Sequence, residues 1–194
     1  MTDSSNHGYL LPNDMDAQRL VDMLGGEGAC AVEPAVPFSL RFYDSFDWRL
    51  YAAGLSLFQL GSSHGTVLRL QSLGGGEVLE SAEFDGTPAW PADLPQGPLR
   101  SRVAELLAMR VLMPLADVSG QATELRVLND DQKTVARLQL LEMTCASPQI
   151  DEPRALLPRV RLLPIKGYDK ALQELTRLFA EEQGWPRAPA CLLG

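Results

Sequence analysis

The chain is short of the residues from which metal and nucleophile chemistry is usually built. It has two histidines, His7 and His64, and three cysteines, Cys30, Cys145 and Cys191. The cysteine count is odd and no two form a CxxC pair, which argues against a zinc cage or a disulfide framework. Reduced, structural thiols in a cytoplasmic protein are expected instead. A histidine-based triad would rest on His7 and His64 alone. His64 stands in the turn Gly61-Ser62-Ser63-His64-Gly65, where a surface role is expected. Basic charge is also scarce: 17 Lys and Arg against 25 Asp and Glu leave a net charge of −8 and a pI near 4.8. Such a chain has no general attraction for nucleic acid, and any polyanion needs a local basic concavity. No run approaches the roughly 20 apolar residues of a membrane helix. The opening MTDSSNHGYLLP has no basic segment leading into an apolar core, so neither membrane nor secretion signal is expected.

What is present is a globular composition, 45% hydrophobic and 22% charged, on a chain long enough for one domain with a real core. The expected organisation is a flexible N-terminus (residues 1–6), one domain (7–184) and a linker (185–194) leading to further chain. His7 to Pro12 is a plausible first strand, and Asn13 or Asp14 is expected to cap a helix that Gly25-Gly26 ends. Residues 27–37 hold two prolines and no period, and read as a loop. From Val36 to Tyr43, Phe38, Leu40 and Phe42 alternate with Ser39, Arg41 and Tyr43, as a strand requires. A helical turn at Asp47 to Tyr51 stops at Gly54. Leu55–Leu60 and Thr66–Leu73 then pair as a hairpin, and Glu77–Phe84 follows as another strand.

Pro98 opens a helix whose stripe is Leu99, Val103, Leu106 and Leu107. Strands are expected at 110–118, 121–128, 133–145 and 159–164, the first two separated by Ser119-Gly120. A last helix begins at Lys166 and buries Leu172, Leu175, Leu178 and Phe179. Eight or nine strands in mostly hairpin order lose their edges most simply by closing on themselves. The expected fold is therefore α+β: a closed antiparallel barrel with flanking helices.

The segment Tyr43-Asp44-Ser45-Phe46-Asp47-Trp48-Arg49-Leu50-Tyr51-Ala52-Ala53-Gly54-Leu55 resembles the signature of the CYTH, or triphosphate tunnel, superfamily. Its wording is closest to the CYTH-like domain that precedes a helical CHAD domain, a module linked to polyphosphate. Leu163-Pro164-Ile165-Lys166-Gly167-Tyr168-Asp169 is similar to the junction into the last helix of those proteins. The resemblance spans most of residues 7–184. It implies a closed antiparallel eight-stranded tunnel barrel whose basic residues hold a triphosphate or polyphosphate, with carboxylates holding Mg or Mn in the hydrolytic members.

The family's chemistry is poorly represented. The first strand, HGYLLP, has none of the carboxylates and lysine of the ExExK strand. Phe58 and Leu60 stand where the arginines of LRxR belong, and the later lysine position falls on Gln71. Arg159-Val160-Arg161 replaces the late acidic pair. The resemblance therefore implies a non-catalytic module, with no catalytic residue, metal ligand or cofactor assigned. Such a module binds polyphosphate or another anion, or serves as a scaffold for a CHAD-type partner. The alternative is a divergent metal-dependent triphosphate or polyphosphate hydrolase. Arg41, Arg69, Arg126, Arg137 and Arg161 are the candidate anion ligands. They either line the tunnel or lie on an outer wet face paired with Glu124, Glu142 and neighbours, because alternation does not tell inside from outside. Glu142 is the best surviving acidic candidate. Phe42, Phe46, Trp48 and Tyr51 cluster at a strand-to-helix corner, as core or as a platform for a base.

Overall fold

The computed structural model describes residues 8–26, 28–74 and 76–189; His7, Cys191 and residues 1–6 and 190–194 lie outside them. The strands are β1 (Gly8–Leu10), β2 (Cys30–Val32), β3 (Val36–Asp44), β4 (Leu55–Ser62), β5 (Gly65–Ser72), β6 (Val78–Glu83), β7 (Met113–Leu128), β8 (Thr134–Ala146), β9 (Arg154–Ala155) and β10 (Arg159–Leu163). The helices are α1 (Ala17–Met23), α2 (Arg49–Ala52), α3 (Pro98–Leu107) and α4 (Asp169–Arg177), the last continuing as a π turn over Leu178–Glu182.

The strand order is β1-β10-β8-β7-β3-β4-β5-β6, with β2 on β7 and β9 on β8. This corrects the expected fold. There are ten strands rather than eight, and no pairing joins β1 to β6, so the described sheet is not closed into a barrel. The edges are blunted locally instead: β1 is three residues long, and β6 carries Glu80 and Glu83. β2 lies inside the stretch read as a loop, with Cys30 opposite Val127 and Ala31 opposite Arg126. β7 runs unbroken through Ser119-Gly120, where two strands were expected, because Gly120 stays extended instead of turning.

The chain forms two compact units. The first comprises the described residues of Met1–Val36, Gly120–Met143 and Leu156–Pro189. Its core is Tyr9, Leu20, Val21, Leu125, Leu138, Leu140, Val160, Leu162, Leu175 and Phe179, sheet residues closed over by α1 and α4. Asp16, not Asn13 or Asp14, caps α1 by accepting from the Arg19 backbone N–H at 2.9 Å. Trp185, assigned by sequence to the linker, is 8% exposed in this core, its ring centroid 4.9 Å from that of Phe179.

The second unit comprises Pro37–Ser119 and Thr144–Ala155 among the described residues. Leu57, Leu68 and Leu70 of its sheet pack under Leu99, Val103 and Leu107 of α3 and Leu50 of α2. The hairpin β4–β5 pairs without a break from Leu55 opposite Ser72 to Ser62 opposite Gly65.

Candidate functional site

In each unit one sheet face is buried under helices, so strand alternation decides what the other face presents. In the first unit Leu138 and Leu140 of β8 lie opposite Leu162 and Val160 of β10, all in the core. The alternate positions carry Arg137 opposite Leu163, Gln139 opposite Arg161, and Leu141 opposite Arg159. On β7, Leu125 enters the core, which leaves Glu124 and Arg126 on the other face. Arg126, Arg137 and Arg161, three of the five arginines singled out by sequence, therefore share one face. Arg159 joins them, a residue the sequence reading passed over although the i, i+2 spacing to Arg161 could have revealed it.

The acidic residues nearby are few and engaged. Arg126 Nη2 lies 2.8 Å from Glu33 Oε1, and Arg137 Nε lies 3.6 Å from Glu124 Oε1. These pairs are partly exposed and contribute little to stability. Arg126 Nε, however, is buried and meets no hydrogen-bond acceptor. Burial also pushes the Arg161 guanidinium below its ordinary value, a cation partly stripped of water. Glu142 is exposed and has the parity of Leu138 and Leu140, so it does not join the arginine face.

In the second unit the corresponding face is apolar. Phe58 lies opposite Phe42 on β3 and Arg69 on β5, and Leu60 lies opposite Leu40 and Val67. Phe58 is 1% exposed and its ring centroid is 5.5 Å from that of Phe42. Gln71, on the same face as Arg69, is fully buried with Oε1 lacking a partner, while its Nε2 donates to the Gly76 carbonyl. Arg41 projects to the opposite face from Arg69, since it pairs with Gln59 rather than Phe58.

Arg41 borders a polar cavity of about 520 Å³ and forks onto Asp117, with Nε 2.6 Å from Oδ1 and Nη2 3.3 Å from Oδ2. The hydrogen bond and charge of Asp117 raise the Arg41 pKa. Beside it, Tyr43 Oη donates to Gln59 Oε1 at 3.1 Å, and desolvation raises the phenol's pKa.

A second cavity, about 330 Å³, opens at the corner between β3 and α2. Asp44, 3% exposed, ties this corner: Oδ1 accepts from the backbone N–H groups of Ser45 (2.7 Å) and Leu50 (2.9 Å), and Oδ2 from that of Tyr51 (2.9 Å). A carboxylate thus caps a helix too short to hold itself. The turn forces Trp48 to φ 54° and ψ 44°, left-handed backbone that costs a bulky residue about 1–3 kcal/mol. Phe46, Trp48 and Tyr51 are 62%, 51% and 63% exposed, so these three members of the aromatic set are surface residues rather than core.

Among the described residues no three of His, Cys, Asp and Glu gather closely enough to hold a metal ion. The described residues therefore do not fit the divalent metal that the CYTH resemblance implies for hydrolytic members. His64 is exposed, its Nδ1 3.2 Å from Ser63 Oγ. No helix among the described residues is long and apolar enough to cross a membrane.

Neither a scan of protein-family models nor a search of curated proteins finds a match. Solved structures do match. A candidate adenylate cyclase from Bacillus halodurans aligns over 94% of this chain and 90% of its own, with a TM-score of 0.58 and 14% identity. A candidate adenylyl cyclase from Hippeastrum, described as having a dominant triphosphatase activity, aligns over 95% and 89%, with a TM-score of 0.54 and 15% identity. At these identities the likeness establishes the fold, an antiparallel sheet with helices of the kind that the CYTH resemblance implies.

Proposed function

We propose that the chain is a non-catalytic CYTH-like module that binds a triphosphate or polyphosphate on the arginine face of its first unit. The observation that carries this reading is the gathering of Arg126, Arg137 and Arg161 on one face. An anion there would accept hydrogen bonds from the guanidinium groups of Arg126, Arg137 and Arg161. Arg159 is added to the ligand set. Arg41 and Arg69 are left out because both belong to the second unit. Phe58 and Leu60, at the positions of the two LRxR arginines, support the non-catalytic part of the proposal. A CHAD-type helical partner and a cytoplasmic setting belong to the same proposal, and the partner rests on the two sequence motifs alone.

Calorimetric titration with sodium tripolyphosphate, without divalent metal, tests the reading. Saturable binding is expected, weakening as salt rises. Arg161→Ala is expected to lower affinity about tenfold, near 1.4 kcal/mol. Absence of binding, with no rise in melting temperature at millimolar tripolyphosphate, would leave the scaffold role alone. Release of phosphate from tripolyphosphate with Mg or Mn would replace the proposal with the hydrolase alternative, supported by what is described for the Hippeastrum protein.

A further inference from the structure

The corner cavity of the second unit is unrelated to the arginine face and has a distinct chemistry. Its walls include Phe42, Trp48, Tyr51, Leu55, Leu73 and Leu115. At about 330 Å³ it lies at the small end of pockets that take organic ligands. The one ionisable carboxylate in its wall, Asp44, is already satisfied by three backbone N–H donors, so the cavity offers no free counter-ion. The remaining polar wall groups are few and uncharged: Ser56, Ser147 and Gln149, besides the Tyr51 hydroxyl.

Trp48 and Tyr51 meet edge to face, with centroids 6.0 Å apart and planes 77° to each other, so ring surface of both stays open at the mouth. Trp48 achieves this on left-handed backbone, where Asn or Gly would be unstrained. An indole that is both strained and half exposed does little for folding. The Asp44 turn sets the backbone there but does not require an indole, which leaves the ring free to meet a ligand.

We infer that this cavity binds a flat, uncharged aromatic ring, stacked on Trp48 and Tyr51, with a polar edge turned to the Ser56 or Ser147 hydroxyl. Offset or edge-to-face stacking on two perpendicular rings selects a planar guest over a puckered one of equal size. The lining holds no basic side chain to meet an anion, and its one carboxylate, Asp44, already has its oxygens engaged by three backbone N–H groups and so repays little of a cation's lost hydration.

The test follows the three indole N–H resonances of the uniformly 15N-labelled chain while indole is titrated in, with cyclohexanol and phenyltrimethylammonium as parallel probes. The Trp48 signal, identified from its loss in Trp48→Asn, is expected to shift saturably with indole at Kd near or below about 1 mM. The signals of Trp90 and Trp185 should stay in place, and the other two probes should bind at least tenfold more weakly. Trp48→Asn, whose side chain tolerates the left-handed backbone, should keep the melting temperature while abolishing saturable shifts elsewhere around the cavity. Tyr51→Ala serves as the second variant and should weaken indole severalfold. Cyclohexanol binding as tightly as indole, or a preference for the cation, would overturn the inference. A Trp48→Asn chain that unfolds several degrees lower would overturn the claim that the indole serves a ligand. None of these readings depends on tripolyphosphate binding.

Discussion

Two sheet faces in this molecule follow the same rule of alternation and reach opposite chemistry. In the first unit, the face turned away from the helices carries Arg126, Arg137, Arg159 and Arg161. In the second, the face turned away from α3 carries Phe42, Phe58 and Leu60, with Arg69 among them. The sheet therefore tolerates either filling, because its helix-covered face holds each unit together. The other face is free to keep polar chemistry or to give it up. Phe58, at a position where the CYTH resemblance implies arginine, is almost completely buried. The second unit uses this face as packed interior.

The most direct way to break this comparison is Phe58→Arg, which restores the residue type implied by the CYTH resemblance. It should cost about 4 kcal/mol in urea unfolding, from the lost buried ring and the charge left unpaired in its place. A stable variant that gained tripolyphosphate affinity would mean that the aromatic face is still a binding surface. The converse change, Arg137→Leu, should alter stability by less than about 1 kcal/mol. Its ion pair with Glu124 is half exposed, and pairs of this kind contribute little. A larger loss by the same measurement would make the arginine face structural and blur the contrast.

The smallest expected effect concerns Asp47 at the aromatic corner. Desolvation, the largest single influence, raises its pKa, but hydrogen bonds from Ser45, Arg49 and Arg110 together outweigh it and bring it down to about 2. Because the folded value lies below the unfolded value of about 4, the stabilisation is complete above pH 4. It fades as pH falls towards 2. NMR titration of the Asp47 carboxyl should give a midpoint well below 3.5, and Asp47→Asn should remove that acid-limb dependence without disturbing the first unit.

Much of the fold was legible because it is local. The β4–β5 hairpin follows from alternation around a Gly/Ser turn, and α3 from Pro98 and an apolar stripe at helical spacing. β2 escaped because Cys30-Ala31-Val32 is too short to show a period; its strand character comes from pairing with Val127 and Arg126. Closure of the sheet was unreadable for a related reason: it depends on long-range registers, not on strand count. The arginines could be found as strand residues, yet their faces could not, and Arg41 and Arg69 turned out to point to opposite sides. The aromatic corner was visible as a cluster. That Trp48 sits exposed on left-handed backbone was not, because the carboxylate that imposes the turn acts through three backbone donors.

The pairing of β1 with β10 sets a timetable for synthesis. Gly8, Tyr9 and Leu10 find their partners at Arg161, Val160 and Arg159, some 150 residues downstream. When the ribosome has made the β4–β5 hairpin, both of its strands are already there, whereas the first strand must wait for residues 159–161. The second unit can therefore begin to order during translation while the N-terminal apolar residues remain uncovered. The last helix then does more than close a core: its arrival ends the period in which Tyr9 and Leu11 are open to other chains.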